Sequence, residues 1–433
     1  MKNRMKVRPL FVAFGIAALS VSTIASAAVH RVFPGQSIQA AVDAAAPGDT
    51  ILVEPGTYKF VPAPFEAGKY NYGLRIKTDN LRLIGKVVPG KGEAGKVRLL
   101  YDGPPGRAGD VGAGVYVAPD VSLPGSSRSC DPDVSDDSAL GELCKANSVT
   151  GFYIRGFTVE GFPRNGIQTR WVDGFEFVSN ESVNNLNNGI YPTLSANGLV
   201  RDNVSYGSLD TAMWVAGSEN VRVIGNELFG SVIGFEITVS NNVWVTQNKI
   251  YGNTVGIGLF HPNGAGNPPK PVMANWVIEQ NKVYDNNLFP NPAPPGSFQS
   301  ELPPGVGILA VGVSDHVISK NVVTGNDFVG IALLGWCTAN ASSDSNNCTS
   351  KPPVYHGMFL SPEVSNNVVS QNKVSGNGLN PLPIPIAFLA ADITYFEFEG
   401  SSGNCFQKNK PAGFSFVSSE PNGLLPTDGC RKP

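Results

Sequence analysis

Charge is scarce in this chain, and so are histidine and methionine. Only 15% of its 433 residues are Asp, Glu, Lys or Arg, with four His and five Met. So few imidazole and thioether ligands disfavour a metal-handling protein. No Lys/Arg run occurs in the body of the chain. The formal charge is -3, falling to about -7 once the four basic residues at the extreme N-terminus are set aside. A mildly acidic surface of this kind argues against nucleic acid as a partner. Beyond the leader, no stretch approaches the ~18 apolar residues of a membrane span. Cys-x-x-Cys pairs and Cys/His metal spacings are also missing, so the six cysteines read as staples made in an oxidising compartment. Their clustering favours local pairs: Cys130 with Cys144, Cys337 with Cys348, Cys405 with Cys430.

What is present is a repeat. Gly189, Ala212, Gly234 and Gly256 open successive units spaced 23, 22 and 22 residues apart, as in AMWVAGSENVRVIGNELFGS and GFEITVSNNVWVTQNKIYGN. Each unit holds three short segments of alternating apolar and polar residues, divided by turns rich in Asn, Gly and Ser. That length is too short for a helical repeat of ~34 residues, and the β-branched content disfavours helix. One unit is therefore one turn of a coil, and the predicted fold is all-β, a right-handed parallel β-helix. Asn203, Asn226 and Asn248 recur in one turn and are expected to stack, each amide bonding its neighbour and tolerating a left-handed backbone.

Lys2, Arg4, Lys6 and Arg8 precede the apolar run Leu10–Val21, and Ala25-Ser26-Ala27 supplies a cleavage pattern. Residues 1–27 thus read as a secretory signal peptide, and the chain is expected to act in the periplasm or outside the cell, as a monomer. Residues 28–433 form one solenoid domain. A capping helix is predicted at 36–46, from Ile38, Ala41 and Val42 on one face, followed by an irregular insertion at 104–148. Regular coils fill 149–377 and a C-terminal cap fills 378–433. Three insertions rich in proline or cysteine, 261–272, 286–304 and 337–362, adjoin the Gly-Ile strands of a single sheet, which marks that sheet as the binding face.

On this face Ile167, Ile190, Met213, Phe235 and Ile257 point inward, so their successors point outward. The outward column reads Gln168, Tyr191, Trp214, Glu236, Gly258, with Gly258 leaving a gap. A second column reads Arg170, Thr193, Ala216, Thr238, Phe260, with His261 at a loop root. Aromatic faces beside hydrogen-bonding groups suit sugar rings, which makes Gln168, Tyr191, Trp214 and Phe260 candidate substrate contacts. Glu236, His261, Asp210 and Arg170 are the candidates for chemistry. A uronate lyase or epimerase needs a base, here His261 or Tyr191, and a neutralising cation, Arg170 or a Ca²⁺ held by Asp210 and Glu236. A glycoside hydrolase needs a carboxylate pair, and Asp210 and Glu236 on adjacent coils supply one. The competing reading is a polysaccharide-binding or cell-surface scaffold without catalysis.

The capping helix before the first coil resembles that of the pectin-lyase-like β-helix superfamily. The strings GIYPTLSANGLV, GSLDTAMWVAGSENV, GFEITVS, NTVGIGLFHP, NKVYDNNLFPNPAPPG and PPGVGIL resemble a bacterial family of exported parallel β-helix repeat proteins that has no established activity. Asp210 and Glu236 match that family's pattern. His261 stands where the family has an acidic residue, and Leu209-Asp210-Thr211-Ala212-Met213 departs from its small residue followed by Asp-Ala-Gly-Ile. The Asp-Pro-His-Asp run and dense Asp clusters of named superfamily enzymes are missing.

Overall fold

The computed structural model describes residues 27–430, apart from 65, 67–68, 105–110, 136–137, 261, 265–272, 336–353, 356–357, 361–363 and 398–400. The expected signal peptide, His261 and the Cys337–Cys348 pair lie outside the described residues or rest on residues that do. Within them, three long parallel sheets wind around one apolar core, with strand orders that advance one coil at a time.

We call these the face sheet, the back sheet and the side sheet. One coil runs from Asn165–Arg170 on the face to Val172–Val178 on the back and Glu181–Val183 on the side, then returns to the face at Ile190–Thr193. Each strand is short because a coil must turn three corners, and alternation sends every second side chain inward. Ile167, Ile190, Met213, Phe235, Ile257, Ile308 and Ile331 stack on the face side of the core with no exposure.

The corner between back and side sheets is held by an amide ladder. Asn226 Oδ1 accepts from the Asn203 backbone N and Nδ2, both at 2.9 Å, and Asn226 makes the same pair of bonds to Asn248 at 2.8 and 2.9 Å. The ladder continues through Asn281, Asn321 and Asn372. The left-handed backbone falls one residue earlier than the sequence reading placed it, at Asp202, Gly225 and Gln247. The asparagines themselves are freed to point inward. Where Gly256 enters the face sheet there is no room for a side chain: a Cβ would stand 2.5 Å from Gly307 O and 2.8 Å from Asn286 Nδ2.

The N-terminal helix spans Ile38–Ala44, capped by Ser37, whose hydroxyl accepts from Ala40 N at 3.1 Å. It buries Ile38 and Val42 against the first coils. Two boundaries differ from the sequence reading. The 104–148 stretch is not wholly irregular: Ala113–Val117 is a full face strand between Leu74–Ile76 and Asn165–Arg170, and Ala139–Ala146 is a helix. Coils also run past 377, through face strands Ala391–Phe396 and Phe416–Ser418. Long loops between these strands break the 22-residue period, which hid both. Disulfides join Cys130 to Cys144 and Cys405 to Cys430. Beyond the face sheet, Pro262–Gly264 pairs antiparallel with Met358–Leu360, so the first and third insertions meet each other.

Candidate functional site

The predicted outward columns are in register. Gln168 lies beside Tyr191, Trp214 beside Glu236, and Glu236 beside Gly258; Thr238 lies beside Phe260 in the second column. The first column extends in both directions, through Tyr116 on one side and Leu309, Ala332 and Thr394 on the other.

Two lobes cover most of this face. The disulfide-closed lobe packs Cys130, Val134, Leu140 and Cys144 over Tyr116 and Trp171. Tyr116 donates to Cys130 O at 2.8 Å, and Tyr72 stacks on its ring at 4.8 Å. At the other end the Pro-rich loop packs Ala293 and Leu302 beside Phe260, Leu309 and Val311. Phe298 meets Phe260 edge to face at 5.4 Å. Between the lobes Tyr191 and Trp214 stack at 4.7 Å with planes 15° apart, and both remain partly exposed. Second-column threonines fix these rings: Trp214 Nε1 donates to Thr238 Oγ1 at 3.0 Å, and Thr193 bonds the Tyr191 hydroxyl.

Beside this platform two carboxyls share one hydroxyl. Thr211 Oγ1 lies 3.1 Å from Asp210 Oδ1 and 2.7 Å from Glu236 Oε2. Asp210 and Glu236 are 8% and 5% exposed and Thr211 is fully buried. A threonine hydroxyl has one proton to donate, so both contacts are satisfied at once when Glu236 holds a proton and donates it to Oγ1. Burial, then the Asp210 charge, pushes Glu236 well above the usual carboxylate range. Burial also raises Asp210 to about 6, against hydrogen bonds from Thr211 and from Gln299 of the Pro-rich loop. Both carboxyls are thus raised, and two acids held in one buried, hydroxyl-bridged cluster are the arrangement from which acid–base sites are built.

Other candidates fall elsewhere. Arg170 lies three strands from Glu236, about 14 Å at the usual strand spacing, and is not its partner. It donates to Val134 O and sits 4.4 Å from the Trp171 ring. Gln168 is buried, its Oε1 taking the Asn165 amide at 2.8 Å. Phe260 is buried under the Pro-rich loop and its ring fills the space beside Gly258, where a Cβ would stand 2.6 Å from it, so the expected gap is closed. Burial raises Tyr191, so its ionised form is disfavoured. Among the described residues no three His, Cys, Asp or Glu side chains converge. Two carboxyls bridged by a hydroxyl, with an amide from Gln299, fall short of the six to eight oxygens of Ca²⁺; the pair does not fit that ion.

Thr211 and Gln299 were missed in the sequence. Thr211 precedes the inward Met213 by two and so carried no outward signal. Gln299 reaches the site only through the fold of its loop.

Residues 165–348 match the family model described as a right-handed β-helix region. Among solved structures, the chain is similar to the A-module of mannuronan C-5 epimerase AlgE4 from Azotobacter vinelandii, with TM-score 0.49 and 16% identity over 88% of this chain and 95% of that one. It is similar to DFA-IIIase from Arthrobacter chlorophenolicus A6, with TM-score 0.49 and 14% identity over 88% and 79%. Pectate lyase Pel9A gives 0.36 and 14% over 89% and 80%. Likeness at this distance says nothing of chemistry. Among curated proteins no sequence matches.

Proposed function

We propose that this right-handed parallel β-helix protein binds a carbohydrate on the Tyr191–Trp214 platform and acts on it with Glu236 and Asp210. The observation that carries this reading is the hydroxyl-bridged, buried acid pair placed beside partly exposed, stacked aromatic rings. The rings offer apolar faces and edges to a sugar's C–H surface. Glu236, its proton held more tightly through burial and the Asp210 charge, donates that proton to the glycosidic oxygen as the C–O bond breaks. Asp210, ionised, faces the positive charge that develops on the sugar ring and bonds to the anomeric carbon as the leaving sugar departs; water, giving its proton to Glu236, then hydrolyses that ester and frees Asp210. The Thr211 hydroxyl occupies the space between the carboxyls where an inverting pair would hold its water.

A neutral sugar suits this pair better than a uronate. Elimination or epimerisation requires a cation to neutralise the substrate carboxylate, and among the described residues no Lys or Arg pairs with Asp210 or Glu236, whereas Arg170 is engaged at the disulfide lobe. We infer export as well, since two disulfides persist best in an oxidising compartment.

The test is a screen of purified protein against neutral glycans, with alginate and pectate alongside, following reducing ends and unsaturated-uronate absorbance. Hydrolysis of a neutral glycan that is lost in Glu236→Gln, with an unchanged circular dichroism spectrum, is the expected result. Glycan binding that survives Glu236→Gln with no turnover of any substrate would leave a binding protein instead. Uronate elimination would show that the missing cation comes from elsewhere.

A further inference from the structure

We propose that the site takes the end of a glycan chain, or a short oligosaccharide, and does not admit the middle of a long polymer; this rests on the carbohydrate reading above. Between Tyr116 and Thr394 the first outward column passes through Gln168, Tyr191, Trp214, Glu236, Gly258, Leu309 and Ala332. Of these only Tyr191 and Trp214 are more than slightly exposed. Tyr116 and Gln168 have 0% and 1% exposure, and Leu309, Ala332 and Thr394 have 6%, 2% and 0%. A bare β-helix face would leave this column open along its whole length, as a groove for a polymer lying along the axis.

Here the groove is walled at both ends by packed structure. On one side the Cys130–Cys144 lobe closes over Tyr116 and clamps Arg170 through Val134 O. On the other, Phe298, Leu302 and Ala293 close over Phe260 and Leu309, while Gln299 bonds Asp210. The opening spans two coils, about 10 Å at ~4.8 Å per coil, roughly the length of two linked sugar rings. The acid pair lies directly beside the Pro-rich wall, at one edge of the opening. A chain that reaches Glu236 therefore ends against that wall, and the bond presented to the acid is the one nearest its terminus.

Binding of defined-length oligosaccharides to the full chain tests this, using Glu236→Gln protein so that ligands stay intact. The probes are neutral β-glucan, mannan and fructan series and an oligo-alginate series, with the corresponding polymers in native form and with bulky groups on both ends. Affinity is expected to rise to two or three units and then stay level, and end-blocked polymer is expected to bind at least about tenfold more weakly than its open form. With wild-type protein and a substrate it turns over, short products should appear from the first minutes while viscosity falls slowly. Affinity that keeps climbing with length, equal binding of end-blocked polymer, or an early collapse of viscosity overturns the inference while leaving the glycan site standing. Failure of every series to bind overturns the site itself.

Discussion

Replacing Asp210 by Asn should make the protein more stable, and more so the higher the pH. Asp210 is 8% exposed, and its carboxyl is raised from 3.8 to about 6, chiefly by burial. A raised folded-state pKa means the native protein binds this proton more tightly than the unfolded chain. Below the unfolded value both states are protonated and the group is neutral in its effect. Between about 4 and 6 the unfolded chain has lost the proton and the native one has not, so native stability falls as pH rises. Above 6 the full cost is present. A difference of about two units at roughly 1.4 kcal/mol each gives about 3 kcal/mol. The substituted amide carries no charge and escapes that cost, and its oxygen can still accept from Gln299 or Thr211. Urea unfolding of both proteins at pH 4 and pH 8 measures the effect: the Asp210→Asn variant should gain about 3 kcal/mol on wild type between the two. A gap that stays the same at both pH values would refute burial as the origin of the raised carboxyl. The same substitution should abolish turnover, so stability and activity would move in opposite directions.

Three further outcomes follow from the same geometry. Trp214→Ala removes the ring stacked on Tyr191 and should weaken glycan binding at least about tenfold in calorimetry, with a stability loss of no more than about 2 kcal/mol because the ring is partly exposed. Asn226→Ala strips the ladder of an acceptor for Asn203 and donors to Val200 O and Asn248; about 3–5 kcal/mol should be lost in urea unfolding, and a loss under about 1 kcal/mol would mean the ladder is replaceable by water. Val239→Asn relieves a β-branched residue held at φ 49° and should stabilise by about 1 kcal/mol, read by the same assay; destabilisation would show that its apolar side chain is needed where it stands.

The sequence revealed the frame through its period. Once Gly189, Ala212, Gly234 and Gly256 set the coil length, alternation alone placed Gln168, Tyr191, Trp214, Glu236 and Gly258 in one column, and the register agrees residue by residue. The covering of that column was not legible. Tyr116 is its next member, yet the disulfide lobe separates it from Gln168 in the chain, and no period connects the two. Phe260 reads as an exposed ring until the Pro-rich loop folds over it, and Arg170 reads as free to serve Glu236 until its strand position sets them three coils apart. Alternation reports direction, in or out; whether an outward side chain meets water depends on loops whose path carries no periodic signal.

The departures from ideal structure gather at the same place. Four buried side-chain polar atoms lack a hydrogen-bond partner among the described residues, and three of them belong to Arg170, Asn188 and Ser208, which enter or lie on the coils of Gln168, Tyr191 and Trp214. Buried polar atoms are nearly always paired, at about 1–3 kcal/mol for each exception. Trp171, Leu194 and Val239 hold left-handed backbones at the rim of the same coils, where Asn or Gly would be easier. Asp210 and Glu236 add two carboxyls kept from water. At the side-to-face corner that holds Ser208, later coils place an Asn ladder through Asn253, Asn286 and Asn326. A solenoid that can repeat a satisfied coil indefinitely has no structural reason to concentrate its costs on these coils. The unpaired atoms of Arg170, Asn188 and Ser208 are themselves shut away from solvent, Arg170 under the disulfide lobe, so of these features the Asp210–Glu236 pair beside Tyr191 and Trp214 is the one that bears on the proposed site.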